Sequence, residues 1–152
     1  MRGADIMSKK YFDCNAQLAN TVNQLEDEYA DDCKVTYATL GDKVMQIPQI
    51  KQKWISRLHF YRRELAEAKD MREDEFNNVV KEIKKNSKVE MSNASAAKAI
   101  SSGNYPRLAA IEERVALYEE ILQAIDDIVN KHIRYINEEI RCMVDMTKLE
   151  NM

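Results

Sequence analysis

The chain has 152 residues, 45% hydrophobic and 32% charged, with a formal charge of −3, and that length fits one domain able to fill its own core. Three glycines and two prolines leave few turns for a sheet, while abundant Ala, Leu, Ile, Glu, Lys and Arg favour long helices. No run approaches the roughly 18 apolar residues that span a bilayer, and Cys14, Cys33 and Cys142 form neither a CxxC metal pair nor a disulfide framework, which points to a reducing cytoplasm and an all-α protein.

From about Asp5 to Cys33, the residues Ile6, Tyr11, Phe12, Leu18, Val22, Leu25 and Tyr29 recur near helical spacing and predict one amphipathic helix. Ala38, Leu40, Val44 and Met45 give Thr36–Gln46 the apolar side of a short second helix. Pro48 disfavours helix at the residue before it, so Ile47-Pro48 is expected to be a corner.

Beyond that corner Ile50, Trp54, Leu58, Tyr61, Leu65 and Ala68 step by three and four, and the pattern continues through Phe76, Val79, Val80 and Ile83. Residues 86–104 are rich in Ser and Asn and end near Gly103, which predicts a loop holding one short helix near Asn93–Ile100. Asn104-Tyr105-Pro106 then opens a helix, because proline is tolerated in a first turn where its missing N–H is no loss.

This last helix carries a heptad seam through Leu108, Ile111, Val115, Tyr118, Leu122, Ile125, Val129, His132, Ile136, Glu139 and Met143, with only His132 and Glu139 out of character. A second stripe of Leu117, Ile121, Ala124, Ile128 and Tyr135 lies beside it. Together they make an apolar surface wide enough to gather copies of the chain, with Ile111, Val115, Tyr118, Leu122, Ile125, Val129 and Ile136 as the oligomerisation residues. The competing reading packs both stripes against other helices of the same chain. The segment Lys131–Ile136 contains no glycine, so unbroken helix is expected there.

Charge divides along the chain. Residues 51–88 hold 11 Lys and Arg against 7 Asp and Glu, whereas 1–50 hold 5 against 8 and 89–152 hold 7 against 11. Phosphate binding follows where cations cluster more than total charge. Arg57, Arg62, Arg63, Lys69, Arg72, Lys81, Lys84, Lys85 and Lys88, interleaved with Trp54, Phe60, Tyr61 and Phe76, therefore form the candidate single-strand-binding set; a solvated helix face is the alternative. His59 beside Phe60 and Tyr61 can stack on a base, but a partly buried helix histidine is the expected reading.

Catalytic parts are missing. The chain has no phosphate loop, no GxSxG elbow, no HExxH and no Cys/His cluster with zinc spacing. The expected protein is not an enzyme and needs no metal or cofactor.

One block is specific. Asp32-Cys33-Lys34-Val35-Thr36, then Leu40, Ile47-Pro48 and Lys53-Trp54, resembles the N-terminal signature of phage recombination mediators of the UvsY type, and in outline the resemblance covers residues 15–150. It implies a ring-like homo-oligomer in the host cytoplasm that binds single-stranded DNA, remodels a single-strand-binding protein and loads a RecA-like recombinase. On that reading residues 1–103 form the helical DNA-binding region and 104–152 the oligomerisation helix, with no membrane partner. A helical homo-oligomeric scaffold or adaptor without nucleic-acid binding is the alternative.

Overall fold

The structure, a computed structural model, describes the backbone of residues 2–151 and the side chains of residues 15–151. Ile6, Tyr11, Phe12 and Cys14, singled out above, lie outside the described side chains.

The order is α1 (Arg2–Asp32), a 3₁₀ turn (Tyr37–Thr39), α2 (Leu40–Asn86), α3 (Asn93–Ser102), α4 (Pro106–Asp127), a π turn (Ile128–His132) and α5 (Ile133–Glu150). No strand occurs among the described residues, so the fold is all-α, and none of its helices is long and apolar enough to cross a membrane.

Local chemistry sets several boundaries. Thr36 and Thr39 form a reciprocal capping box, each side chain accepting the other's backbone N–H, which opens the 3₁₀ turn leading into α2. The Ser92 hydroxyl accepts the Ser95 N–H at 3.2 Å and starts α3. Pro106 occupies the first position of α4, as its sequence context predicts.

The expected corner at Ile47-Pro48 is absent, since Pro48 lies inside α2. An internal proline loses one hydrogen bond and crowds the carbonyl four residues back, a cost of about 3 kcal/mol. Ile47 and Trp54 flank it and are buried, and two such side chains return a comparable amount. The resulting helix has 47 residues.

By contacts the chain divides into two compact units, neither continuous in sequence. Unit 1 comprises Met1–Ala19 and Glu64–Tyr118; unit 2 comprises Asn20–Arg63 and Glu119–Met152.

In unit 1, Ala68, Val79, Ala96, Leu108, Ala110, Ile111, Val115 and Tyr118 are buried. Asn15 is buried with them, and its amide donates to the Ala110 carbonyl at 2.8 Å and to Glu113 Oε2 at 3.2 Å. The Tyr118 hydroxyl donates to Glu64 Oε2 at 3.3 Å, and Arg107 pairs with Glu75 at 3.4 Å.

Unit 2 buries Leu25, Leu58, Ile121, Ile125, Ile128 and Ile133 and, among its described residues, two further groups. Ile47, Ile136 and Ile140 form one, with Tyr29, Cys33, Val35, Leu40 and Val144 against them. The other is Trp54, fully buried, whose indole N–H donates to Asp32 Oδ2 at 3.0 Å. Tyr29 meets its ring edge-on at 6.4 Å, and the Arg57 guanidinium lies 4.9 Å from its centroid. Glu28 accepts a forked pair of bonds from Arg57, while Lys53 donates to both Glu28 and Asp32.

Candidate nucleic-acid interface

The nine candidate cations fall in different places. Arg57, Arg62 and Arg63 belong to unit 2, and Lys69, Arg72, Lys81, Lys84, Lys85 and Lys88 to unit 1. Arg57 is half-buried against Trp54 and forked onto Glu28, an engagement that reaches inward. Arg62 and Arg63 are exposed, as are His59 and Phe60, so the expectation of a partly buried His59 does not hold.

Within unit 1 the second half of α2 presents Lys69, Arg72, Phe76, Val80 and Lys84 at steps of three, four, four and four, which is one face of a helix. At 1.5 Å per residue this stripe is about 22 Å long. Two open clefts lie along it. The first, about 560 Å³, is lined by Lys69, Asp70, Arg72, Glu73, Phe76 and Glu112. The second, about 390 Å³, is lined by Phe76, Asn77, Val80, Lys81, Lys84 and Asn93.

Phe76 is half-buried and belongs to both clefts. Each cleft thus combines two cations with an apolar ring wall, the combination that holds a phosphate beside a stacked base. Only the second is cationic on balance, because no carboxylate lines it, whereas Asp70, Glu73 and Glu112 outnumber the two cations of the first. The Lys84 ammonium donates to Asn93 Oδ1 at 2.6 Å, so the first residue of α3 helps to fix that lysine. Lys85 and Lys88 are exposed but line neither cleft.

Sequence reading passed over Asn77 and Asn93. Asn77 stands four residues before Lys81 and shares its helix face, a signal available in the sequence. Asn93 reaches the cleft only through the turn between α2 and α3, which no periodicity announces.

The residues assigned to oligomerisation are largely inside the fold. Ile111, Val115, Tyr118, Ile125 and Ile136 are buried within the chain, and Leu122 and Val129 are half-buried. The α4–α5 stretch therefore fills the protein's own core with much of the seam, and the seam is not continuous α-helix. Ile128–His132 is a π turn in which the Ile133 N–H bonds to the Ile128 carbonyl, five residues back.

Comparison with family models, with curated proteins and with solved structures gave no match.

Proposed function

We propose that this protein is a non-catalytic, self-associating binder of single-stranded DNA that acts as a recombination mediator, helping a RecA-like recombinase onto strands covered by single-strand-binding protein. The observation that carries the DNA-binding part is the α2 stripe, where Phe76 is shared by two clefts holding Lys69 and Arg72 on one side and Lys81 and Lys84 on the other. A base stacks on Phe76 while neighbouring phosphates meet the ammonium and guanidinium groups. The mediator role rests on the signature resemblance. It needs no bond chemistry, because a binder that favours the strand conformation preferred by the recombinase shifts populations by linkage.

The scaffold reading has its own support in the carboxylates Asp70, Glu73 and Glu112, which line the first cleft beside its cations. Fluorescence anisotropy with a single-stranded oligonucleotide separates the two. Phe76→Ala is expected to weaken binding by about 1–3 kcal/mol, the stacking contribution of one base. Lys81→Glu with Lys84→Glu should lower the logarithmic salt slope by about 1.4. Wild-type affinity and slope in both variants would remove the α2 stripe from the site and favour the scaffold.

A further inference from the structure

Unit 2 contains an open cleft of about 440 Å³ between α1 and the end of α4. Val22 and Ile128 give it an apolar floor, the carboxylates of Glu26, Glu120 and Asp127 line it, and the rings of Tyr29 and His132, 5.3 Å apart, stand at one end. No lysine or arginine is among its lining residues, although Asp127 also meets Lys131 at 3.3 Å. The cleft thus suits a cationic segment bearing a small apolar side chain.

Unit 1 offers such a segment. Where α2 ends, Lys85 and Lys88 are exposed around Val89, which is 74% exposed and, among the described residues, the one large apolar side chain that unit 1 leaves so open. The turn is pre-formed: the Ser87 N–H bonds to the Ile83 carbonyl at 3.0 Å, and the Ser87 hydroxyl donates to the Val89 carbonyl at 2.7 Å and accepts the Val89 N–H at 3.3 Å. A segment already ordered loses little entropy on docking.

We infer that the Lys85–Val89 turn of one copy docks into the acidic cleft of a second copy, Val89 seated on the Val22 and Ile128 floor and the two ammonium groups facing Glu26, Glu120 and Asp127. Charge and apolar character match on both counts, and both surfaces are present on every chain at equal concentration. The surfaces differ, so the contact is head-to-tail and propagates from copy to copy, closing into a ring if the rotation permits. The inference deepens the self-association part of the proposed function; Lys85 follows Lys81 by one helical turn on the same face of α2, while Lys88 and Val89 lie beyond the helix end at Asn86.

Head-to-tail docking has a signature that a symmetric contact lacks. A cleft variant, Glu26→Lys with Glu120→Lys, keeps an intact turn; a turn variant, Lys85→Ser with Lys88→Ser and Val89→Ser, keeps an intact cleft. By sedimentation velocity at low salt the wild type should associate, and each variant alone should associate roughly tenfold more weakly or not at all. An equimolar mixture should form a one-to-one heterodimer and nothing larger, because each partner retains one working surface. All substituted side chains are exposed, and a cooperative melt checks that each variant folds; if one does not, Glu120→Gln and Val89→Ser carry the same expectation. Wild-type association by either variant, or a mixture that stays monomeric, overturns this docking while leaving self-association through another face intact. A monomeric wild type overturns both.

Discussion

Glu28 and Asp32, one helical turn apart on α1, set the terms on which Trp54 is buried. Asp32 accepts the indole N–H, and Glu28 holds the guanidinium that covers the ring. Lys53 ties the two carboxylates together. The bonds from Arg57 lower the Glu28 carboxyl below its ordinary 4.5, burial opposes this, and Lys53 lowers it further. Folding therefore favours the ionised form, and the stabilisation is present above about pH 4.5 and is lost as pH falls through the lower folded value. The Glu28 side chain is 37% exposed, so solvent screening keeps the effect to roughly 1 kcal/mol or less. Melting temperatures followed from about pH 6 to pH 3 should show a steeper acid limb in the wild type than in Glu28→Gln; equal limbs would mean that the pair contributes nothing. None of this pairing was legible in sequence, because the register of α1 against α2 is a tertiary fact. Read along a lone helix, Arg57 looks like a phosphate contact. The block that resembles the mediator signature has its own account here: Asp32, Lys53 and Trp54 form the ion-paired cluster, Thr36 caps, and Val35, Leu40 and Ile47 pack around the isoleucine core.

At the scale of elements, periodicity and turn residues mark the helical regions, but the helices expected at Thr36–Gln46 and beyond Pro48 are one, α2, and the single last helix is α4 and α5 joined by a π turn; these misplaced boundaries have identifiable causes. Propensity alone makes Pro48 a corner, whereas the burial of Ile47 and Trp54, which tertiary packing supplies, holds it inside α2. The C-terminal seam contained its own warning. His132 and Glu139, the two misfits, stand seven residues apart, as a slipped register would place them, and both are exposed. The π turn takes up one extra residue, so the buried series runs Ile121, Ile125, Ile128 and then Ile133, Ile136, Ile140. Deleting the exposed Asn130 should restore an ordinary helical step from Ile128 to the following isoleucine, with stability changed by less than about 1 kcal/mol. Deleting the exposed Asn137 should instead rotate Ile140 and Val144 off the core by about 100°, a loss of about 2–5 kcal/mol as for a truncated core side chain. Urea denaturation of both deletions checks this; equal destabilisation would show that the π turn does not compensate register.

Across the molecule, a division into residues 1–103 and 104–152 follows the chain, whereas the compact units each draw on an early and a late stretch. Antiparallel long helices have this property, since each passes beside residues remote in sequence, and a one-dimensional charge count does not see it. The count still found the cationic stretch, six of whose nine candidates lie in unit 1, four of them lining its two clefts. Among the described residues, large exposed apolar side chains have the opposite distribution: seven of the eight belong to unit 2, Val89 being the exception. This polarity fits a protein that meets a strand with unit 1 and receives other protein surfaces on unit 2. The most direct test is a titration of the wild-type protein against a labelled single-stranded oligonucleotide and its duplex at several salt concentrations. The account predicts preference for the single strand, with affinity falling as salt rises by a logarithmic slope of about 0.7 for each phosphate neutralised. Binding that is absent at low salt, or equal for strand and duplex, would contradict it.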